Sequence, residues 1–150
     1  MANTNAPDGF TPAYHMSGGV IRPQEFAIAS GTNASIFSGD VVNLSSGLVI
    51  QGTATGTPLG VFYGVEYQAT DGSVVFSNMW TADVATLGAA NAKAFVYVDP
   101  DIVYEAQSTG TPTQASIGTT NTISTTAGNT NNGRSKEGVT TTTSSGIATV

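Results

Sequence analysis

Alternation of residue types over residues 60–68 constrains the fold of this chain more than any other sequence feature. A period of two is the pattern of a β-strand with one buried face, whereas the apolar residues of a helix recur every three or four positions. We therefore predict a strand here, with the Val and Tyr side chains on one face. Val61, Tyr63, Val65 and Tyr67 alternate with Gly60, Phe62, Gly64, Glu66 and Gln68.

A hairpin is predicted directly after this strand. Asp71-Gly72 precedes the apolar run Val74-Val75-Phe76. A type I′ turn needs positive φ at both central positions, and Asp-Gly is among the pairs that accept it. The second strand of the hairpin should therefore begin near Val74.

Other short apolar runs indicate an all-β fold. Pro100 presets φ for a type I turn between the runs 94–98 and 102–104. Short strands at this spacing are typical of a small β-barrel or sandwich. We expect at most one short helix, or a loop, at 83–92, where Asp83 could cap a turn and several alanines favour helix. The additional predicted strands are 41–44, 48–50, 94–98 and 102–104.

Composition divides the chain into zones. Residues 1–25 contain three prolines, each of which disfavours helix at its predecessor, and are predicted to form an extended N-terminal arm. Residues 26–150 are predicted to form one β domain, with nearly all of its core within 26–107. The Thr-rich, aromatic-free remainder predicts thin edge strands, an exposed loop near 129–138 and a strand at 146–150.

The charge balance limits the classes of partner. Four basic residues face ten acidic ones, so no basic stripe is available to neutralise phosphates and we expect no nucleic-acid binding. There is no cysteine for disulfides or thiolate ligands. The first residues lack a secretory signal pattern, and no run of roughly 18 apolar residues suggests a membrane span, so we expect a soluble protein without membrane contact.

Few residues offer catalytic chemistry. His15 is the only histidine and lies in the proline-rich arm, so a serine nucleophile would lack a positioned base, and we predict no catalytic site. Asp99, Asp101 and Glu105 could supply oxygen ligands to a cation. The Asp99-Pro100-Asp101 turn explains both aspartates without a metal, and strand alternation places Glu105 opposite Tyr104. We therefore expect neither a metal nor a cofactor.

Aromatic residues raise a different possibility. Trp80, Tyr63, Tyr67 and Tyr97 could form a stacking platform for carbohydrate on a β surface. They also fall at alternating positions within apolar strands, for which core packing is the commoner explanation. A carbohydrate-binding or adhesin-like β module with Trp80 exposed therefore remains the alternative function.

Two segments resemble a known class of virion protein. The opening Met1 to Pro12, continued by Tyr14-His15-Met16-Ser17-Gly18-Gly19, is similar to the start of small capsid decoration proteins of tailed bacteriophages. Tyr97 to Gln107 is similar to a segment late in those proteins, and Gly39-Asp40-Val41-Val42 and Leu59 to Gly64 fit the same pattern. The resemblance implies a β-rich structural protein on the outer surface of the virion, bound to an expanded capsid across neighbouring subunits of the major capsid protein.

Apolar residues of the arm are the candidates for this contact. They are too apolar for a purely solvated tail, so we expect them to face the capsid. A small, lightly charged, Thr-rich β body also presents strand edges that pairing would protect, which predicts a homodimer or homotrimer. The candidate capsid-contact residues are Phe10, Tyr14, Met16, Val20 and Ile21.

Overall fold

The computed structural model describes residues 5–54, 56–88, 92–143 and 148–149, and its regular secondary structure is almost entirely β. Within these residues the only helical segment is a 3₁₀ turn at Gln114–Ser116. The predicted all-β class is thus confirmed. The strands are β1 (Thr11–His15), β2 (Gln24–Ala27), β3 (Ile36–Phe37), β4 (Val41–Ser45), β5 (Leu48–Gln51), β6 (Pro58–Gln68), β7 (Val74–Ser77), β8 (Met79–Trp80), β9 (Ala92–Tyr97), β10 (Ile102–Glu105), β11 (Thr120–Ser124), β12 (Gly138–Thr143) and β13 (Ala148–Thr149).

The largest sheet is antiparallel and contains the strongest sequence signals. Its strand order is β2-β9-β6-β4-β5, and β7 pairs with β6. A single parallel bridge between Ile28 and Val49 links the chain beyond β2 to β5, but the strands do not form a closed barrel. β3 with β8, β1 with β10, and β11 with β12 and β13 make three smaller sheets.

The hairpin predicted at Asp71-Gly72 is present, with a different turn. Gly72 N–H donates to Ala69 C=O at 2.9 Å, and Ala69 N–H donates to Ser73 C=O at 2.8 Å. Gly72 has a φ of 88° whereas Asp71 is not among the positive-φ residues, so the three-residue loop ends on a left-handed glycine instead of forming a type I′ turn. The two-residue turn with positive φ at both positions occurs at Ser46 and Gly47, between β4 and β5.

A β-bulge changes the predicted faces of β6. The register with β9 shifts between Phe62 and Gly64, which makes Tyr63 the extra residue. Phe62 is consequently fully buried whereas Tyr63 is 53% exposed. The expectation that Tyr63 shares a face with Val61 and Val65 is therefore wrong, because a bulge reverses the alternation at this point.

No helix forms over the described residues of 83–92: residues 83–88 form a loop, and Ala92 begins β9. Asp83 has a φ of 61°, which is not the extended conformation of a helix N-cap. Thr86 makes an isolated bridge to Ala69. Residues 89–91 lie outside the described residues, so the prediction is resolved only for 83–88 and 92.

The hydrophobic core has two clusters. The main cluster combines residues of the large sheet with residues of the β3-β8 pair, and it includes Ile28, Phe62, Trp80 and Val96, all with 0% exposure. The second cluster joins Val41 and Val61 to Phe10 from the arm and Ile123 from β11, with Tyr104 and Val139 packed against it. The prediction that the core lies almost wholly within 26–107 holds for the main cluster but misses the contributions of both chain ends.

Both chain ends are attached to the body. β1 lies in the predicted arm and pairs with β10, so the arm is not free throughout.

The Thr-rich end forms the three-stranded sheet β12-β11-β13. Within the predicted exposed loop 129–138, Ser135 and Glu137 are only 1% exposed, so the loop is not exposed throughout. Of the strand predicted at 146–150, the structure describes 148–149, which is β13; residues 146, 147 and 150 lie outside the described part.

Candidate binding surfaces

The arm residues predicted to contact a partner fall into two groups. Tyr14, Met16 and Val20 are 59%, 70% and 72% exposed. Ile21 is half-buried. The prediction that Phe10 contacts a partner is wrong, because only 9% of this residue is exposed and it packs in the second core cluster. The structure therefore leaves an exposed apolar patch, Tyr14, Met16 and Val20, which we call the arm patch.

A hydrogen-bonded histidine holds this patch on the body. His15 Nε2 lies 3.1 Å from Asp99 Oδ2, and Ser17 N–H and Gly19 N–H donate to His15 Nδ1 at 3.3 and 3.4 Å. Because Nδ1 accepts two backbone hydrogen bonds, the neutral ring carries its proton on Nε2 and donates it to Asp99. Met16 N–H also donates to Asp101 C=O at 2.9 Å. The arm is thus tied to the β9–β10 turn at His15 and at Met16.

The same turn contains the residues considered for a cation. His15, Asp99 and Asp101 have candidate ligand atoms within 4.8 Å of one another, whereas Glu105 pairs with Thr11 on the neighbouring strand. The N–H of Asp101, followed by the hydrogen bond from His15, lowers the pKa of Asp99. Both nitrogens of the imidazole are engaged, so hydrogen bonds within the turn and arm account for this arrangement without an ion.

A wide apolar cleft of about 880 Å³ lies next to the second core cluster. Its lining includes Phe10, Val61 and Ile123 from that cluster, and Met16 from the arm patch. The apolar surface of the arm is therefore continuous with a concave apolar surface of the body.

Two buried carboxyl groups lie where the segment before β12 meets residues 37–41. Val41 N–H donates to Glu137 Oε2 and Phe37 N–H donates to Asp40 Oδ2, both at 2.8 Å. Burial, with a smaller contribution from the nearby Asp40 charge and against the hydrogen bond from Val41 N–H, raises the pKa of Glu137 to about 8. Burial also raises the pKa of Asp40 to about 6, against hydrogen bonds from Ser135 and Phe37. Neither side chain is accessible to a substrate, so this pair is a structural element.

The four aromatic residues do not form the carbohydrate platform that was considered as the alternative to core packing. Trp80 is 0% exposed, and Tyr67 packs edge-on against it with ring centroids 5.5 Å apart. The alternative that requires an exposed Trp80 is therefore wrong. Tyr63 and Tyr97 instead form a separate pair, with centroids 5.5 Å apart.

Two features of the surface were not predicted. Asp8 and Arg134, which are 126 positions apart, form an ion pair in which Arg134 Nε donates to both carboxylate oxygens. On the hairpin, Val74 and Phe76 are 58% and 72% exposed. The joint exposure of Val74 and Phe76 could have been expected, because residues two apart on an edge strand share one face. The ion pair has no local sequence signal.

Comparison with protein-family models, with curated proteins and with solved structures gives no match in any of the three. In the part of the chain that the structure describes, no helix has the length and apolar character that crossing a membrane requires.

Proposed function

We propose that this chain is a non-enzymatic structural protein of a virion, bound to the outside of an expanded phage capsid, where it stabilises contacts between subunits of the major capsid protein. The observation that supports this most is the arm patch: Tyr14, Met16 and Val20 are exposed although the segment carrying them is anchored to the body. The resemblance of the opening residues to capsid decoration proteins points the same way.

The anchoring of the arm matters for the energy of binding. A free tail loses conformational entropy when it binds, which reduces its affinity per unit of buried area. Here β1 and the His15 hydrogen bonds have already ordered residues 11–19 on the body. Burying three large apolar side chains then contributes about 1.5–3 kcal/mol each before other costs. A modest patch can therefore support specific binding.

Binding only to the assembled shell stabilises that shell by mass action. We propose that the protein acts as a homodimer or homotrimer, because several arm patches on one particle raise the effective affinity without new contacts. The β7 edge is available for such pairing: β7 pairs only with β6 among the described strands, and its outward side chains Val74 and Phe76 are apolar. No metal, cofactor, nucleic acid or membrane enters this proposal.

Point substitutions test the proposal better than removal of the arm, because a deletion through residue 21 would also remove Phe10 from the second core cluster. The test variant carries Tyr14→Ser, Met16→Ser and Val20→Ser. The control carries Val74→Ser and Phe76→Ser, which remove two exposed apolar side chains from the hairpin. Both are compared with wild type for folding, for self-association, and for binding to expanded capsids that lack the protein.

The arm variant should remain folded and lose capsid affinity by more than about 100-fold, the equivalent of about 3 kcal/mol. The control should keep the intrinsic affinity of each copy, with any loss attributable to reduced self-association. Wild-type affinity in the arm variant would contradict the proposed contact. Absence of binding by the wild-type protein would contradict the function itself.

A further inference from the structure

A small cleft of about 220 Å³ lies where the N-terminal segment passes the loop before β12. Its lining includes the rings of Tyr63 and Tyr97 together with Asp8, Arg134 and Pro12. The turn at Ser38-Gly39 brings these distant segments together: Phe10 N–H donates to Gly39 C=O at 2.9 Å, and Ser135 N–H donates to Ser38 C=O at 3.0 Å. The cleft is therefore built on backbone hydrogen bonds.

The aromatic part of the cleft depends on the bulge in β6. As the extra residue, Tyr63 points outward and is 53% exposed, although the residues on either side of it are buried. Bulges commonly redirect one side chain beside a functional site. Tyr97 contacts Tyr63 at a centroid distance of 5.5 Å and an interplanar angle of 58°, so it supports the exposed ring from one side.

The polar part is the ion pair between Arg134 and Asp8. Arg134 Nε donates to the two Asp8 oxygens at 3.0 and 3.1 Å, and Nη2 donates to Oδ2. The two side chains are 41% and 54% exposed. No hydrogen bond from Nη1 occurs within the described residues, so both of its N–H groups face no protein acceptor there. The Arg134 guanidinium and the Asp8 carboxylate thus offer hydrogen-bond donors and acceptors in the same cleft as the exposed ring of Tyr63.

We propose that this cleft binds one neutral pyranose ring of a carbohydrate. The electron-rich face of Tyr63 attracts the weakly positive C–H groups of a sugar ring. The free N–H groups of Arg134 and the carboxylate of Asp8 match neighbouring hydroxyl groups, which both donate and accept. The ligand is neutral because Asp8 already balances the charge of Arg134. The volume is below the ~300 Å³ at which sites for drug-sized ligands begin, which fits a single ring.

This activity is separate from the proposed attachment to a capsid. None of Tyr14, Met16 and Val20 lines the cleft. Failure of capsid binding would leave the sugar site standing, and the reverse also holds. If both are correct, the bound protein would offer a sugar-binding surface on the particle.

The test is a titration of isotopically labelled full-length protein, followed by amide and side-chain NMR shifts. The probes are the methyl pyranosides of glucose, galactose, mannose and N-acetylglucosamine. At least one should bind with a dissociation constant of about 1 mM and shift resonances of Tyr63, Tyr97 and Arg134. Tyr63→Ala should weaken that binding by about tenfold. Tyr63→Phe should retain it, since the ring face remains.

Phe76→Ala is the matched control, because it removes an exposed aromatic ring that does not line the cleft. It should leave the affinity unchanged. Thermal melts of each variant show whether a loss of binding reflects a loss of folding. The proposal is overturned if none of the four pyranosides shifts cleft resonances, or if Tyr63→Ala in its folded form binds as the wild type does.

Discussion

The two hydrophobic clusters differ in how they are assembled. The main cluster is drawn from residues 28–96 and contains Trp80 and Phe62 at 0% exposure. The second is assembled from both ends of the chain, through Phe10 and Ile123, and borders an open apolar cleft. Two buried carboxyl groups lie near it, since Glu137 accepts a hydrogen bond from Val41 N–H. We therefore expect the main cluster to contribute most of the stability, whereas the second joins both chain ends to the body beside the candidate binding surfaces.

Matched Phe→Ala substitutions in the two clusters should show the largest effect. Phe62→Ala should lower the free energy of unfolding by about 3–5 kcal/mol, because a fully enclosed cavity replaces the ring. Phe10→Ala should cost about 2 kcal/mol, because its site borders the open cleft and fewer contacts are lost. Denaturant unfolding measures both, with Tyr14→Ala as an exposed control. Equal losses for Phe62→Ala and Phe10→Ala would remove the distinction between the clusters.

The second cluster should also be sensitive to pH. The pKa of Glu137 is raised from 4.5 to about 8 by burial, so the folded state binds this proton more tightly than the unfolded state. This stabilisation is complete below pH 4.5 and is lost as the pH rises through about 8. Burial also raises the pKa of Asp40, so its protonated form contributes a smaller stabilisation that is lost between pH 3.8 and about 6.

Glu137→Gln should therefore increase stability by about 3 kcal/mol at pH 8 and leave it unchanged at pH 4. The glutamine oxygen can still accept the hydrogen bond from Val41. Thermal melts across this pH range provide the measurement, and Glu105→Gln is the control at an exposed carboxyl. A Glu137→Gln variant whose stability follows the wild-type pH profile would show that Glu137 does not titrate as described.

Substitution of Gly9 tests how closely the arm is attached to the body beside the second cluster. It has a φ of 77°, and an added Cβ would lie 2.7 Å from Gly39 C=O. Gly9→Ala should therefore cost about 2 kcal/mol, the sum of backbone strain and a clash. Gly18 has a φ of 74° with nothing within 4 Å, so Gly18→Ala isolates the strain and should cost about 1 kcal/mol. Equal costs in chemical unfolding would mean that Gly9 is not closely packed.

The smallest effect is expected at His15. His15→Ala removes the acceptor for Ser17 N–H and Gly19 N–H and should cost about 1 kcal/mol or less. Hydrogen exchange at these two amides should accelerate while amides of β6 remain protected. Unchanged exchange would show that β1 alone holds the arm patch in place.

Local sequence patterns predicted the main sheet, and long-range contacts account for most of what they missed. The hairpin at Asp71-Gly72 could be predicted because its signal lies within a few residues. The bulge at Tyr63 could not, since it depends on register with β9. The burial of Phe10 and Glu137 likewise comes from segments far apart in sequence.

The candidate sites show the same limit. Tyr14, Met16 and Val20 were predicted to face a capsid; the structure leaves them exposed, and the contact itself stays a prediction. The pairing of Asp8 with Arg134 and the clustering of His15 with Asp101 appear only once the chain ends are folded onto the body. A sequence shows which residues carry chemistry, but distant residues converge only through the fold.

The proposed role of the arm patch is tested most directly by cryo-electron microscopy of expanded tailed-phage capsids that lack this protein and are then incubated with it. The account predicts density for the protein on the outer surface at subunit boundaries, with Tyr14, Met16 and Val20 facing the major capsid protein. Density that places these three side chains toward solvent, or capsids without added density at saturating protein, would contradict it.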